Sequence, residues 1–296
     1  MLSFDDVRKS FGGRRVLDDL TFDVRPGELF GFCGANGAGK TTAMRIALGV
    51  VRADRGAVRW NGAEADAHSR RRFGYMPEER GLYAKMTPLD QLVYFARLSG
   101  VRPREARRRA AEWIDRLGVA AGPKDPLEKL SLGNQQKVQL IAALIHDPAV
   151  LVLDEPFSGL DPVAVDAMAD VLLERAREGV PVVFSSHQLE LVERLCDRVG
   201  ILRGGRLVAE GTVHELRRAA GRGRVLMSVR DVTPAWARSL TGARVLAEED
   251  GLTSLELESD RAAQEALAAA QAAGRVEFFG RREAGLVDIF REAVEA

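Results

Sequence analysis

The stretch "GANGAGKTT", residues 34–42, decides the fold. The apolar run "LFGFC" (residues 29–33) precedes it, and "TTAMRIALGVV" (residues 41–51) follows with the apolar spacing of a helix. The stretch satisfies the pattern G-x-x-x-x-G-K-[ST] in the strand-to-helix context that this pattern requires. Its glycines let backbone N–H groups close on phosphate oxygens at a helix start, where anions are already favoured. The sequence therefore predicts a phosphate cradle.

Side chains of this loop supply further contacts. Lys40 carries a charge that can reach the β- and γ-phosphates, and Thr41 supplies a hydroxyl to Mg²⁺. A glycine-rich turn without a ligand is the alternative, which the complete pattern disfavours. The residues expected at the nucleotide are Gly34, Ala35, Asn36, Gly37, Ala38, Gly39, Lys40, Thr41 and Thr42.

Acidic residues follow a second apolar strand, "AVLVL" (residues 149–153). Asp154 ends this strand, where parallel sheets place their ligands, so we expect it to hold Mg²⁺ through water. Glu155 can polarise the attacking water as a general base. Such a pair alone is more often a helix cap, but a neighbouring phosphate loop reverses that preference. His187, after the strand "VVFSS", is either a satisfied polar group or a contact to the γ-phosphate.

Composition restricts the class of protein. The 296 residues contain 43 Lys+Arg and 43 Asp+Glu, whereas nucleic-acid-binding proteins usually carry a basic excess. The arginine clusters at 70–72 and 107–109 lie among acids, which predicts solvated helix faces. We therefore expect no nucleic-acid partner.

The predicted compartment is the bacterial cytoplasm. The sequence has no run of eighteen apolar residues and no apolar leader at its start, which predicts neither a membrane span nor a signal peptide. Cys33 and Cys196 are too few for a disulfide framework, and we expect both to be buried packing thiols. His68, His146 and His214 are expected at the surface.

Periodicity predicts an α/β fold with two domains. Residues 1–33 alternate as β-structure, and the runs before Asp154 and His187 are typical of parallel strands buried on both faces. A helical insertion is expected at about 86–130, and its first helix should begin with Thr87 as the cap and Pro88 just inside it. After "RRAAGRGR" (residues 217–224), which suggests a linker, the order βαββαβ with a final helix indicates an α+β unit. The expected domains are 1–217 and 218–296.

A second helix start, "LSLGNQQKVQL" (residues 130–140), also has the features of an anion site. Ser131 suits a cap, and Gly133 and Asn134 suit a turn before an apolar helical face. The first loop already supplies a better cradle. An ordinary capped helix is the alternative interpretation.

Together these motifs resemble the ATP-binding subunit of an ABC transporter over about residues 1–215. "GANGAGKTT" resembles its Walker A motif, "VLVLDEP" its Walker B motif, "SGLDP" its D-loop, which contains Asp161, and His187 its switch histidine. "LSLGNQQ" resembles the ABC signature, normally Leu-Ser-Gly-Gly-Gln. "GYMPEERGLY" and the small C-terminal domain are similar to the ABC-2 type exporters of drugs, sodium ions, polysaccharides or lipids. The implied fold is a P-loop NTPase core with an antiparallel β subdomain and an α-helical insertion, plus the C-terminal α+β domain.

This resemblance implies a mechanism for the second helix start. Two subunits pack head to tail around two ATP and Mg²⁺, and Ser131 and Gly133 of one subunit cap the ATP that Lys40 of the other holds. Hydrolysis then drives export through a separate integral membrane permease, so the chain works at the cytoplasmic face of the membrane. Phe11 matches the aromatic residue that stacks on adenine, although simple packing is an alternative.

Three departures from the family pattern matter. Leu132 stands where glycine is usual and Asn134 where glutamine is usual. Glu78 occupies the position of the Q-loop glutamine, which touches Mg²⁺ and the attacking water. A carboxylate can ligate the metal but cannot donate a hydrogen bond when ionised. Our hypothesis is that Glu78 still senses the metal.

Two other functions compete with transport. A soluble ABC protein that acts on ribosomes or DNA usually has two fused ATPase halves or a long coiled coil, whereas this chain has one phosphate loop, one signature and no heptad run. A GTPase or kinase is disfavoured because no Asn-Lys-x-Asp guanine motif occurs. The segment "RGLYAKM" (residues 80–86) is an apolar candidate for contact with a membrane subunit, or it packs internally.

Overall fold

The computed structural model describes residues 1–79, 81–220, 224–230, 235–238, 240–249, 252–281 and 285–295. The chain divides into two compact units, one formed mainly by Met1–Val213 and the other by His214–Glu292. The domain boundary expected at residue 217 stays a prediction. No helix in the described part of the chain is long and apolar enough to cross a membrane.

The first unit alternates strands and helices. Its strands are β1 (Leu2–Phe11), β2 (Arg14–Val24), β3 (Leu29–Gly34), β4 (Arg55–Trp60), β5 (Ala63–Glu64), β6 (Phe73–Met76), β7 (Val150–Leu153), β8 (Val182–Ser185), β9 (Arg198–Arg203) and β10 (Arg206–Thr212). Its helices are α1 (Lys40–Ala47), α2 (Ala67–Arg70), α3 (Pro88–Leu98), α4 (Pro103–Arg116), α5 (Leu132–Leu144), α6 (Pro162–Arg177) and α7 (Leu189–Leu195), with a 3₁₀ turn at Leu127–Lys129.

A six-stranded sheet in the order β10-β9-β3-β8-β7-β6 carries the site. Strands β9 to β6 are parallel and β10 is antiparallel. Every residue of β3, β7 and β8 is buried, as their continuous apolar sequences predict. Parallel strands place their carboxyl ends at one edge, so the loops after β3, β6, β7 and β8 share that edge. The predicted α/β class is confirmed.

An antiparallel sheet in the order β2-β1-β4-β5 packs against this core. Phe22 stacks on Phe4 with ring centroids 4.4 Å apart and also on Phe30 and Phe32 at 5.2 Å. Because burial of a phenylalanine side chain contributes about 1.5–3 kcal/mol, this aromatic cluster fixes the antiparallel sheet on the parallel one.

The helical insertion is built from α3 and α4. Thr87 caps α3, and its hydroxyl accepts a hydrogen bond from Asp90 N, as predicted. Ala106 and Ala110 are the buried residues of α4. Arg108 pairs with Glu105 and Glu112 on the exposed face of α4, which agrees with the solvated surface predicted for this arginine cluster.

The second unit contains α8 (Val213–Ala220), β11 (Arg224–Arg230), α9 (Ala235–Arg238), β12 (Ala243–Glu249), β13 (Leu252–Leu257), α10 (Asp260–Ala273), β14 (Arg275–Arg281) and α11 (Leu286–Glu295). Its sheet is antiparallel in the order β12-β13-β11-β14, a split βαβ arrangement. Val225, Met227 and Leu255 pack there with Ala266 of α10. The linker predicted at 217–224 is wrong at its start because α8 continues to Ala220, and residues 221–223 lie outside the described residues.

Candidate functional site

A cavity of about 460 Å³ opens where the loop between β3 and α1 meets the ends of β6 and β7. It is lined by Arg14, Arg15, Val16, Asn36, Gly37, Ala38, Gly39, Lys40, Thr41, Thr42, Glu78, Asp154, Glu155 and Gly204. The sheet topology therefore brings the predicted phosphate loop and the three predicted acidic residues together.

Gly39 shapes the end of the phosphate loop. It adopts φ +114°, and a Cβ added there would lie 2.8 Å from Val16 O and 2.7 Å from Leu17 Cδ2. Only glycine satisfies both the backbone angle and the close approach. Helix α1 begins directly after it, at Lys40, without a side-chain cap. Its first N–H groups consequently remain available to an anion.

Lys40 is buried at the start of α1, where two backbone carbonyls orient its ammonium group. Its Nζ donates hydrogen bonds to Gly34 O at 2.6 Å and Ala35 O at 3.4 Å. Neutral carbonyls orient the ammonium without cancelling its charge, so the loop can hold a polyanion.

Asp154 presents one free oxygen to the cavity region. Its Oδ1 accepts a 2.6 Å hydrogen bond from Ser185 Oγ, whereas its buried Oδ2 has no partner among the described residues. A buried unpaired carboxylate oxygen is costly unless a ligand satisfies it. The hydroxyl of Thr41 and the carboxylate of Glu78 line the same cavity. These oxygen donors fit Mg²⁺, which prefers such ligands.

Glu155 is held in a strained conformation beside His187. Its φ is +51°, a region that non-glycine residues rarely adopt and that is often found at functional sites. Glu155 N donates to Ser185 Oγ at 2.9 Å, and His187 Nδ1 lies 2.8 Å from Glu155 Oε2. His187 is 61% exposed and contacts the acid from the solvent side. The pair can hold a proton-accepting carboxylate in one orientation.

Several predicted residues lie away from the cavity. Phe11 is 49% exposed at the end of β1, with Lys9 Nζ 5.1 Å from its ring centroid, and does not line the cavity. Ser131 and Asp161 cap helices α5 and α6. Helix α5 begins at Leu132, so Gly133 and Asn134, predicted as a turn, lie in its first turn. The structure does not bring Ser131, Gly133 or Asp161 to the cavity of the same chain, and their roles stay predictions.

Sequence reasoning missed the residues that position the acids. Ser185 bonds both Asp154 and Glu155. Gln136 of α5 donates to Pro156 O at 2.9 Å, and Gln139 donates to Pro77 O beside Glu78. The one available signal for Ser185 was a polar residue at the end of an apolar strand.

Burial shifts the pKa values of the two thiols and of His146. Cys33 is buried, as predicted, and burial raises its pKa to about 12. Cys196 is intermediate in exposure rather than fully buried, and burial of its thiol raises its pKa as well. A raised pKa keeps both thiols protonated and therefore unreactive. The surface position predicted for His146 is wrong. This ring is partly buried with Nε2 3.3 Å from Phe73 O, and burial lowers its pKa.

The fold and the cavity define the class. A strand, a G-x-x-x-x-G-K-T loop and a helix, with an aspartate at the end of a nearby parallel strand, form the site of a P-loop nucleoside-triphosphate hydrolase.

Comparisons with known proteins identify the family. The family model "ABC transporter" matches residues 17–158, and "ATP-binding protein DrrA1-3-like, C-terminal domain" matches residues 211–294. The chain is similar to the ABC transporter ATP-binding protein YhaQ of Bacillus subtilis, with 40% identity over 100% of this chain and 99% of that one. The chain belongs to the ATP-binding proteins of ABC transporters, which are ATPases.

Two further comparisons concern function and fold. The linearmycin resistance ATP-binding protein LnrL of Bacillus subtilis is 32% identical over 87% of this chain and 83% of its own length. A solved structure of the ATP-binding subunit of an ABC transporter superposes with a TM-score of 0.69 at 34% identity, over 75% of this chain and 93% of that chain. The first unit is thus an ABC ATPase cassette.

Proposed function

We propose that the chain dimerises around two ATP molecules and drives export of a substrate through a separate membrane subunit at the cytoplasmic face of a bacterial membrane. One observation carries the dimer. Ser131, Gly133 and Asp161 match nucleotide-contacting motifs of the family, yet within the described residues none of them lines the cavity that holds the phosphate loop. A nucleotide that they contact must therefore be held by another chain.

The start of α5 has the chemistry for this contact. Ser131 is exposed, and α5 has thirteen residues, so its first N–H groups favour an anion. Leu132 is 54% exposed there, and Val163 at the start of α6 is 79% exposed. Leu160 Cδ2 lies 3.5 Å from a Cβ built on Gly133, which links the two helix starts. Exposed apolar residues around an anion site are typical of a surface that a second protein covers. They therefore support a partner chain at this position.

The residues of the cavity support a mechanism for hydrolysis. Lys40 and the N–H groups at the start of α1 hold the phosphate chain. Glu155 accepts the proton of the attacking water, and His187 orients its carboxylate through the 2.8 Å contact. Asp154, Thr41 and Glu78 would hold Mg²⁺, which would supply positive charge to offset the charge of the phosphate chain. ADP and inorganic phosphate then leave as the dimer opens.

A surface patch beside Glu78 supports a membrane partner. The aromatic rings of Tyr83, Tyr94 and Phe95 contact one another at the edge of the helical insertion. Tyr83 and Leu98 are exposed, and a cavity of about 370 Å³ lies between Leu82, Phe95, Leu98 and Gln139. Exposed aromatic and apolar residues in a groove suit an amphipathic helix. The export direction is supported by the name of the linearmycin resistance relative.

Mixed subunits test the shared site. Lys40→Ala and Ser131→Arg each disable both sites of a homodimer. A mixture of the two variants forms heterodimers with one intact site, built from Lys40 of one chain and Ser131 of the other. We expect ATPase activity to return on mixing to about a quarter to a half of the wild-type rate, whereas each variant alone stays inactive. An inactive mixture and a wild-type chain that stays monomeric with ATP and Mg²⁺ would contradict the dimer.

A further inference from the structure

The cavity has two walls on opposite sides of the phosphate loop. In the order of the parallel sheet, β3, which carries the loop, lies between β9 and β8. Strands β6 and β7 bring the acids to one side. On the other side, the turn between β9 and β10 brings Gly204, and β2 brings Arg14 and Arg15. The first wall is acidic and the second wall is basic.

Close backbone contacts fix the basic wall. Asp18 N donates to Gly205 O at 2.9 Å, and Gly205 N donates to Ala38 O at 3.1 Å. A Cβ on Gly205 would lie 2.4 Å from Val16 O, so the two backbones already touch. The start of β2 is therefore held against the phosphate loop, and the arginines beside Val16 keep a set distance from it.

Arg15 is oriented by a buried acid. Its Nη1 donates to Asp18 Oδ1 at 2.8 Å, and Asp18 Oδ2 accepts a 2.8 Å hydrogen bond from Arg206 Nε. Burial pushes the pKa of Asp18 upward, but the hydrogen bonds and charges of Arg206 and Arg15 leave it below its usual value. Asp18 is ionised, and the three side chains carry one net positive charge. Arg15, 57% exposed, keeps other N–H groups for a ligand.

We propose that Arg15 binds the phosphate chain of the nucleotide at its nucleoside end, on the phosphates that ATP and ADP share, and that Asp18 positions Arg15 for this contact. The inference rests on the proposed function. The acidic wall with its magnesium donors takes the terminal phosphate, so the rest of the nucleotide crosses the loop toward the basic wall. An arginine fork matches phosphate oxygens there.

Nucleotide affinities of the full chain test the contact. Arg15→Gln should weaken ATP and ADP by the same factor, about tenfold, because one charge-assisted hydrogen bond at a half-exposed site is lost. Adenosine affinity should not change, and the dependence of the ATP dissociation constant on NaCl should become shallower. Arg104→Gln removes an equal charge from the exposed face of α4 and should match the wild type.

The positioning role of Asp18 has a separate readout. Asp18→Asn should weaken ATP about threefold, and the double variant Arg15→Gln with Asp18→Asn should bind no more weakly than Arg15→Gln alone, since the second effect acts through the first. Arg15→Lys should be intermediate. Additive losses in the double variant would give Asp18 a merely structural role.

Three results would overturn the contact: wild-type affinity in Arg15→Gln, a loss confined to ATP, or an equal loss for adenosine. These results differ from failure of the proposed function. If that function is wrong, the wild type binds no adenine nucleotide or Lys40→Ala binds as well as the wild type. If only the contact of Arg15 is wrong, the wild type and Lys40→Ala behave as expected.

Discussion

Ser185 and Asp154 share a buried hydrogen bond of 2.6 Å between neighbouring parallel strands. The same hydroxyl accepts the N–H of Glu155 at 2.9 Å. One side chain of β8 thus fixes both acids at the end of β7. The carboxylate oxygen of Asp154 that Ser185 leaves unpaired is the one suited to a metal.

Ser185→Ala should destabilise the protein and slow hydrolysis. Two buried polar groups lose their partner, at about 1–3 kcal/mol each, so we expect a loss of roughly 2–6 kcal/mol in the free energy of unfolding. Loss of orientation at both acids should lower the ATPase rate at least about tenfold. Urea unfolding and steady-state ATPase assays measure the two effects. Ser186→Ala, at a buried neighbour whose hydroxyl accepts a hydrogen bond from Gln188 N, is the matched control. Wild-type stability in Ser185→Ala would remove this role.

Glu155→Gln should bind ATP normally and hydrolyse it about 10²–10⁴-fold more slowly, because the amide cannot take the proton of the attacking water. The variant should also accumulate as an ATP-bound dimer in size-exclusion chromatography. Glu64→Gln, at an exposed acid on β5, should behave as the wild type. Rapid multiple turnover by Glu155→Gln would exclude Glu155 as the base.

Glu78→Ala should raise the Mg²⁺ concentration needed for half-maximal ATPase activity severalfold, because one oxygen donor is lost. Gln139 bonds the neighbouring Pro77 carbonyl and keeps the loop in place, so the change removes the carboxylate alone. Magnesium titrations at saturating ATP measure this effect. Glu79→Ala, at the adjacent acid, is the control. An unchanged magnesium dependence in Glu78→Ala would refute the sensing hypothesis.

His146 should make the stability of the first unit fall in mild acid. Burial lowers its folded-state pKa below the ordinary value of 6.5. Below about pH 6.5 the unfolded chain therefore binds a proton that the folded chain does not, and stability falls as the pH drops from 7.5 toward 5.5. His146→Gln should flatten this part of the urea-unfolding profile, while His68→Gln, at an exposed ring, should not. Equal slopes for His146→Gln and the wild type would exclude the effect.

Local signals in the sequence predict the parts of the site that lie within one segment. The glycines of the phosphate loop, the apolar run before Asp154 and the caps at Thr87 and Ser131 each act within a few residues of the chain, and the structure contains all of them. The βαββαβ order of the second unit could also be predicted, since each helix and strand has its own apolar periodicity.

Residues that act across strands could not be predicted in this way. Ser185 meets Asp154 because β8 lies beside β7, and Arg15 reaches the cavity because β2 touches the β9–β10 turn. The spacing of residue types along the chain does not reveal either of these contacts between distant segments. His146 was misplaced for the same reason, because its burial depends on the distant Phe73. The linker was predicted to begin too early. The glycine and arginine residues that follow Ala220 suggested a linker over the whole of residues 217–224, although α8 continues to Ala220.

Because the backbone at Glu155 is left-handed, selection for folding stability and selection for activity should favour different residues at this position. A non-glycine residue there costs about 1–3 kcal/mol in backbone strain. In a library randomised at this position, selection for soluble expression alone should enrich glycine and asparagine, and selection for transport should retain glutamate. The difference between the two enrichment profiles would measure how much folding stability the protein loses at this one position in order to keep the glutamate that hydrolysis requires.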